Sequence, residues 1–474
     1  MLIGCVKKFL LISIAIGTWS QILFPLSSKE KNDVYPVYTS LDPHTYVYTR
    51  EKLQMKGYET ESNKPERIGL SISPFGQNAD TGKDIEGKQT NLGDINGHWN
   101  MIALLFGDLP KGKTTLPQSL QEAKAQIFPE GATDGLNNPN VIDPNKKFGF
   151  FTIPLKYRKR GVRFELAANL IGDFGIKIQA GIADICQTVT GFENLTCDAT
   201  SVCGFRLSSE TRDPTRYVDD FTNITQKNVN DYLMDPLKKI AEDLQLKLDN
   251  FHEVSVEEIR FLLYWRHAFE INKNTDEEWP EFLFIPYFEV GGSISPGKKK
   301  DPAHMFGLAF GNSDHHAVGF TAGLNFDFYD TIEIGAEVGT THFFDRCFSN
   351  YRVPTSTCQS GIYPFATDVT ICPGHNWHFG AKILAYQFLD KLSMWFQYLQ
   401  VEHRSDTIKL KVADSAFKPE VLEKNSSWKA KLANIGFNYD ISPNISLGFL
   451  WQAPISQRNI YKSTTLLFSF NASY

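Results

Sequence analysis

Charged residues at alternate positions of extended segments are the side chains in this sequence best suited to chemistry. Successive side chains of a β-strand point to opposite faces, so charged residues two positions apart share a face. Basic residues predominate early in this set and acidic ones later, which predicts positive charge on one wall of an enclosed interior and negative charge on the opposite wall. Such a transverse field tunes the passage of ions and solutes. The residues expected on inward faces are Lys156, Arg158, Arg163, Glu165, Lys177, Asp327, Glu333 and Glu337.

Six cysteines follow Cys5 and fall into two groups of three, in predicted loops at 186–281 and 342–375. If the chain is exported, an even number predicts disulfides, and three per loop predicts at least one bridge between the loops. A metal site is the alternative, because histidines lie near the last cysteine, but their spacing matches no zinc template and we expect no metal. The disulfide candidates, none inside a predicted strand, are Cys186, Cys197, Cys203, Cys347, Cys358 and Cys372, and the histidines are His342, His375 and His378.

Catalytic motifs are absent from the sequence. It contains no Walker phosphate loop, no G-x-S-x-G elbow and no H-E-x-x-H zinc motif. The run Asp314-His315-His316 could bind a metal, yet it lies between two predicted strands and is interpreted as an exposed turn. A net charge of -6 gives no electrostatic footprint for nucleic acid. We therefore expect no catalytic residues, no cofactor and no nucleic-acid partner.

Strands must position the charged residues, and the clearest strand is predicted at 318–328. Apolar residues such as Phe320 and Leu324 alternate there with small or polar ones such as Thr321 and Gly323. An apolar row opposite a polar row fits a strand with lipid on one face and water on the other. Repeats of this pattern predict about 14 strands, with roughly 12–16 as the range. They are 68–75, 99–107, 148–158, 162–170, 176–182, 283–293, 305–311, 318–328, 332–338, 378–388, 392–401, 433–439, 445–453 and 461–474.

The closing strand at 461–474 ends the chain on an aromatic residue. Its sequence YKSTTLLFSFNASY places Leu466, Phe468 and Phe470 on one face and mostly small polar residues on the other. It resembles the closing strand of Gram-negative outer-membrane β-barrels, which ends in an aromatic residue, most often Phe where this chain has Tyr474. The resemblance implies an all-β antiparallel transmembrane barrel in the bacterial outer membrane, with membrane lipids and the barrel-assembly machinery as partners. The last strand of a soluble sandwich is the alternative.

The connections alternate in length, with short turns at 172–175, 296–304, 329–331, 390–391 and 440–444. The other links, 186–281, 342–375 and 402–427, are long. Short periplasmic turns and long extracellular loops are typical of outer-membrane barrels. The segment 108–147 violates this pattern, because the register places it on the periplasmic side. Either two strands are missing from the prediction, or this segment is a periplasmic or plugging element.

Helices are predicted inside the loops. Leucines and an isoleucine at helical spacing predict one helix in 228–250, and the capping box Ser255-Val-Glu-Glu258 predicts a second that extends to Phe269. A further helix is predicted at 117–128, where Pro117 suits its first turn. We expect the long loop helices to pack on each other and on the barrel rim. A cap over the mouth, a constriction and a receptor-binding hairpin are the alternatives.

The amino terminus has the pattern of a secretory signal. Lys7 and Lys8 precede a short apolar run at 9–17, and small residues follow at a cleavage site. A retained membrane anchor is the alternative. No other run of 18 or more apolar residues occurs, so no transmembrane helix is expected. The predicted divisions are a signal peptide at 1–20, a periplasmic or plug segment at 21–66, and the barrel at 67–474.

A porin-like pore for passive diffusion of small solutes is the function that this pattern favours. A surface barrel for adhesion or recognition through its loops is the alternative, and a transporter of hydrophobic ligands is the third. The interior could instead be plugged by salt bridges, with Glu165 paired to Lys177 on the neighbouring strand.

Overall fold

The computed structural model describes residues 68–127, 149–170, 173–195, 230–271, 282–297, 301–312, 314–328, 331–389, 391–442 and 444–473. Twelve antiparallel strands pair in sequence order, and the last pairs with the first, so they form a closed barrel. This number lies inside the expected range and is lower than the central estimate of about 14. The strands are β1 (Ile68–Ala79), β2 (Leu155–Asn169), β3 (Phe174–Val189), β4 (Phe251–Val256 and Ile259–Arg266), β5 (Phe282–Ile294), β6 (Ala317–Phe328), β7 (Ile332–Phe343), β8 (Asn376–Leu389), β9 (Leu392–His403), β10 (Trp428–Ser442), β11 (Ile445–Arg458) and β12 (Thr464–Ser473).

Three predicted strands are lost as separate strands and one unpredicted strand, β4, is gained, so fourteen becomes twelve. The segments 148–158 and 162–170 contribute to one continuous strand, β2, while 99–107 is largely a 3₁₀ helix and 305–311 is a series of turns. Conversely, the predicted helix from Ser255 to Phe269 is wrong, because 259–266 is a barrel strand. The run IRFLLYWR is apolar at both helical and strand spacing, so periodicity alone does not separate the two structures.

The two faces of each strand differ in chemistry, as the alternation predicts. On β6, Phe320 and Leu324 are 45% and 39% exposed, whereas Thr321 is 6% exposed and faces the interior. The outward positions form a belt of exposed apolar side chains around the barrel. The belt includes Leu70, Phe164, Leu166, Ile176, Phe261, Leu263, Val290, Val318, Phe320, Leu324, Phe326, Ile334, Val338, Phe379, Ile383, Phe396, Leu447, Trp451, Leu466, Phe468 and Phe470.

The two ends of the barrel differ in the length of their connections. At the short-turn end, the strands are joined at 170–173, 329–331, 390–391 and 443–444, and by a longer link at 267–281. At the long-loop end, the links are 80–154, 190–250, 295–316, 344–375, 404–427 and 459–463. The predicted asymmetry is confirmed. The described residues of the segment 108–147 and of the supposed turn 296–304 belong to the long-loop end, because 99–107 and 305–311 are not barrel strands.

The loops at the long-loop end carry their own secondary structure. Their helices are α1 (Gln118–Ile127), α2 (Leu237–Asp243) and α3 (Pro419–Ser426), with 3₁₀ turns at Leu92–Asp94 and Ile102–Phe106 and a π turn at Asn230–Met234. Their short strands form three small sheets of three strands each. One sheet contains Thr81–Lys83, Gln89–Asn91 and Ile460–Tyr461, and a second contains Trp99–Asn100, Phe150–Thr152 and Glu193–Asn194. The third contains Arg346–Arg352, Ala366–Cys372 and Thr407–Leu410. At the other end, Phe269–Ile271 pairs with β5. The helix expected at 117–128 is confirmed, and the one expected at 228–250 is shorter.

The loops pack into the barrel mouth as one apolar body, the loop cluster. Loop residues Leu92, Ile102, Leu104, Leu120, Leu237, Ile240, Phe306 and Phe310 contact inward wall residues Tyr157, Ile185, Leu399, Val401, Trp428, Leu432 and Leu450 in a single buried cluster. Burial of this much apolar surface holds the loops against the wall. The long-loop end is therefore filled by loops in this conformation.

The predicted signal peptide 1–20, the segment 21–66 and the terminal Tyr474 lie outside the described residues. They stay predictions. Of the helices that the structure describes, none has the length and apolar character needed to cross a bilayer.

Candidate functional site in the barrel interior

The barrel interior is lined by two contrasting surfaces. Inward positions of β2 to β8 carry acids and bases, and we call this surface the charged wall. Its charged residues include Lys159, Arg163, Glu165, Lys177, Glu257, Glu258, Arg260, Arg266, Glu289, Asp327, Glu333, Glu337 and Lys382. Inward positions of β9 to β12 and β1 carry amides and hydroxyls, and we call this surface the neutral wall. Its polar residues include Ser71, Ser73, Gln77, Ser393, Gln397, Asn434, Asn438, Ser446, Gln452, Thr465, Ser469 and Asn471.

An acid at the break in β4 joins two bases of β2. The Nζ of Lys159 lies 2.8 Å from Oε1 of Glu257, and the Nε of Arg163 donates to Oε2 at 3.0 Å. The backbone N–H of Glu257 donates to the carbonyl of Gly181 at 2.8 Å, where β4 has an irregular register against β3. Gly181 has no side chain, and a Cβ there would meet the Glu257 carboxylate. The irregularity therefore seats a buried acid between two cations.

Two further acids are paired in the same way. Lys177 lies 3.7 Å from Glu289, with both side chains almost fully buried. Glu333 lies 2.5 Å from Lys382 on the next strand and 4.0 Å from Arg266. Charges taken out of water are tolerated only when a partner of opposite sign lies close. The charged wall thus neutralises itself locally.

A hydrogen-bonded chain connects the charged wall to the neutral wall. Tyr287 donates its hydroxyl proton to Glu337 at 2.8 Å, and Gln397 donates to the same carboxylate at 3.5 Å. Asn434 donates to Gln397 at 2.8 Å, and Gln452 donates to Asn434 at 2.9 Å. Amides can both donate and accept, so the chain continues across three strands without charge.

Large inward rings lie opposite glycines of the neighbouring strands. Register pairs join Tyr264 with Gly175, Tyr287 with Gly323, Trp395 with Gly436, and His378 with Gly339. A Cβ at any of these glycines would overlap the facing ring. Each glycine therefore lets a ring lie along the wall of the barrel, which is the close approach that glycine permits.

Six of the eight expected charged residues face the interior: Arg163, Glu165, Lys177, Asp327, Glu333 and Glu337. Glu165 accepts a hydrogen bond from Gln179, and Lys177 contacts Glu289. The inward assignment of Lys156 and Arg158 is wrong. They alternate with the buried Tyr157 and Lys159 on one continuous strand and so face outward. Treating β2 as two strands broke the alternation between residues 158 and 162.

The expected transverse field is also contradicted by the structure. Acids and bases lie on the same wall and contact one another, as in the pairs Lys159–Glu257 and Lys382–Glu333. Sequence reasoning missed Glu257 and Arg266 because β4 was interpreted as a helix. It also missed Glu289 and Lys382, although both lie within predicted strands, where alternation would have identified them as inward.

The cysteines and histidines of the loops do not assemble as expected. Of the six candidates, Cys197 and Cys203 lie outside the described residues, and the four described cysteines are free thiols. Cys186, Cys347 and Cys372 lie inside strands, contrary to prediction. A bridge between the two loops therefore stays a prediction.

The three histidines considered for a metal site separate into two places. The Nδ1 atoms of His342 and His375 lie 2.8 Å apart, whereas His378 faces Thr321 inside the barrel. Burial raises the pKa of the Cys372 thiol, and Asp345 beside it raises this pKa further. In the part of the chain that the structure describes, no three His, Cys, Asp or Glu side chains converge on a metal position.

The run 314–316 is not the exposed turn that the sequence suggested. Asp314 is buried and lies 2.5 Å from Arg346, while His316 is exposed. His315 is buried, and its Nδ1 lies 3.2 Å from the carbonyl oxygen of Phe344. Burial lowers the pKa of His315 to about 3. This segment anchors the loop between β5 and β6.

No protein-family model matches the chain, and no curated protein matches it in sequence. Solved structures similar to it include an outer membrane channel from Pseudomonas putida F1, with a TM-score of 0.45, 7% identity, and coverage of 87% of this chain and 97% of that chain. The translocator domain of the autotransporter NalP from Neisseria meningitidis has a TM-score of 0.31, 8% identity, and coverage of 92% and 98%. A Pseudomonas aeruginosa FadL homologue has a TM-score of 0.25, 10% identity, and coverage of 86% and 90%. Such low similarity carries no argument about function, which rests on this chain's own residues.

Proposed function

We propose that this chain is an outer-membrane β-barrel that forms a channel for passive diffusion of small polar solutes. One observation supports it above the others: the strands separate an exposed apolar belt from an interior lined by charged, amide and hydroxyl groups. An apolar outer surface on a closed barrel suits lipid, and a polar interior suits water and dissolved solutes. Passive diffusion needs no catalytic group, so we propose no enzymatic role.

The proposed orientation follows from the two ends of the barrel. The start of β1 and the end of β12 lie at the short-turn end, which faces the periplasm. The long-loop end faces the outside. Outer-membrane lipids contact the apolar belt. The barrel-assembly machinery reads the carboxy-terminal strand.

The loop cluster supports a channel that opens intermittently. Apolar loop residues such as Ile102 and Leu104 are buried against the inward wall at the long-loop end. A solute entering there must displace them. We therefore propose that displacement of the loop cluster connects the polar interior to the outside.

Membrane insertion is tested separately from conduction. The refolded chain in mild detergent is expected to migrate differently on a gel before and after boiling, because a closed barrel resists unfolding. Identical migration, together with purification in the soluble fraction, would contradict the membrane barrel.

Conduction is tested in planar lipid bilayers with a pair of matched variants. Leu104→Glu places a charge in the loop cluster, where Leu104 is fully buried, whereas Leu109→Glu changes a side chain of the same loop that is 40% exposed. Burial of an unpaired carboxylate is costly, so Leu104→Glu should loosen the loops and raise the open fraction several-fold. Leu109→Glu should resemble the unmodified chain.

Heat-dependent gel migration verifies that both variants remain folded. A folded Leu104→Glu protein that conducts no more than the control would contradict gating by the loop cluster. Absence of any conductance in all three folded proteins would contradict the channel and favour adhesion or recognition through the loops.

A further inference from the structure

A row of three basic side chains lies on the outward face of β2. Lys156, Arg158 and Arg160 alternate with the buried Tyr157 and Lys159, and all three are exposed. Alternate residues of a strand are about 6.6 Å apart, so the row spans about 13 Å. We call it the basic row. The basic row belongs neither to the polar interior nor to the loop cluster.

The basic row begins where the apolar belt ends. Below Arg160 on the same face of β2 come Val162, Phe164 and Leu166, the last two exposed. The neighbouring strands change character at the same level. On β1, Pro74 is followed toward the long-loop end by Gly76, which pairs with Arg160, and Asn78, which pairs with Arg158. On β3, Ile182 is followed by Asp184, which pairs with Arg160, and Cys186, which pairs with Arg158. The row therefore lies at the border between apolar and polar surface.

The surroundings of the basic row leave room for a ligand. A Cβ at Gly76, beside Arg160, would meet no atom within 4 Å. The nearest acid on the β3 side, Asp184, lies 2.8 Å from His252 of β4. Asp80 follows β1 at the upper end of the row. The three cations thus outnumber the acids on this part of the surface.

We propose that the basic row binds the phosphate groups of a phosphorylated lipid headgroup in the leaflet at the long-loop end. A molecule that carries acyl chains and phosphate together can contact the apolar belt and the basic row at the same time. Guanidinium groups suit phosphate, because they donate paired hydrogen bonds to its oxygens. This inference rests on the membrane orientation of the proposed function, and it is independent of conduction.

The probe is a lipid A that carries both phosphates, compared with the same lipid after removal of its phosphates. Binding is measured by native mass spectrometry on the full refolded chain in detergent. The variant replaces Lys156, Arg158 and Arg160 with Gln. The matched control replaces Lys429, Lys431 and Arg458 with Gln, which removes equal charge from β10 and β11, where Lys429 is paired with Glu402 at 3.0 Å.

The unmodified chain is expected to prefer the phosphorylated lipid by about tenfold, which corresponds to about 1.4 kcal/mol. The β2 variant should lose this preference, and the control should keep it. Equal losses in both variants would overturn the proposed site, as would equal binding of both lipids by the unmodified chain. Displacement of the lipid by inorganic phosphate at the same phosphorus concentration would also overturn it, because free phosphate lacks the acyl chains.

The outcomes also separate this inference from the proposed function. If the unmodified chain binds neither lipid, the membrane-facing belt itself is in question, and heat-dependent gel migration decides that point. If it binds both lipids equally, the belt stands and the basic row has no lipid-phosphate role. Heat-dependent migration of the β2 variant verifies that loss of binding does not come from loss of folding.

Discussion

The charged wall and the neutral wall enclose the same interior with different chemistry. On the charged wall, an acid such as Glu257 is buried against Lys159 and Arg163, so its stability depends on particular partners. On the neutral wall, Asn434 both donates to and accepts from neighbouring amides. Loss of one partner from a buried ion pair leaves an uncompensated charge. Loss of one hydrogen bond between side-chain amides leaves only an uncompensated dipole. The first wall should therefore be sensitive to substitution and the second tolerant.

The same difference bears on selectivity. Opposite charges on facing walls would polarise the interior, but here the ion pairs lie within the charged wall, as in Lys159–Glu257, Lys177–Glu289 and Lys382–Glu333. The electric field of a close pair of opposite charges decreases steeply with distance, because the two contributions largely cancel. Selectivity in the proposed channel would then depend on size and hydrogen bonding more than on net charge.

Glu257→Gln is expected to have the largest effect. It leaves two buried cations without their shared carboxylate and should lower the free energy of unfolding by about 3–5 kcal/mol. Urea titration of the refolded barrel in detergent measures the loss. Adding Lys159→Met should restore part of it, because one unpaired cation is removed. A loss below about 1 kcal/mol would show that the charged wall is no more sensitive than a surface ion pair.

Gly436→Ala asks whether the neutral wall is closely packed where β9 meets β10. The Trp395 ring lies against Gly436, so a methyl group there should cost roughly 1–3 kcal/mol. Gly76→Ala is the control, since a Cβ at Gly76 meets nothing within 4 Å. Urea titrations of the two variants should differ in midpoint, with Gly76→Ala close to the unmodified chain. Equal midpoints would mean that the ring moves aside without cost.

Asn434→Leu measures the tolerance of the neutral wall directly. The substitution removes one hydrogen bond to Gln397 and one from Gln452, at 2.8 Å and 2.9 Å. We expect a loss of about 1–2 kcal/mol in the same titration, smaller than that of Glu257→Gln. A loss equal to or larger than that of Glu257→Gln would remove the distinction between the walls.

The loop between β5 and β6 should respond to pH although it belongs to neither wall. The pKa of His315 is about 3 in the fold and near 6.5 when the loop is open, so stability is complete above pH 6.5 and falls as the pH decreases. At pH 5.5 the loop should open more easily by about 1.4 kcal/mol. Hydrogen exchange at 312–316, corrected for intrinsic rates, reports the change. His315→Leu should remove the pH dependence, and the exposed neighbour variant His316→Gln should retain it.

Alternation predicted the barrel and most of its strand faces because the outer face of each strand is apolar and the inner face is largely polar. Phe320 and Thr321 were assigned correctly from the pattern alone. The pattern failed where a run was apolar at both helical and strand spacing, as in 259–266, and where an interruption split β2 into two. The pairing of charges could not be predicted, because Lys159 and Glu257 are 98 residues apart and meet only through the register of β2, β3 and β4.

The ring–glycine pairs have a consequence for how the barrel closes. Alternation repeats every two residues, so it does not distinguish the native register from one shifted by two. A shift of this kind would place Tyr287 opposite Thr321 or Asn325 instead of Gly323, and Trp395 opposite Asn434 or Asn438 instead of Gly436. Each alternative partner has a Cβ where the native partner has none. During assembly, the glycines therefore disfavour misaligned strand pairs, which the hydrophobic alternation alone would allow.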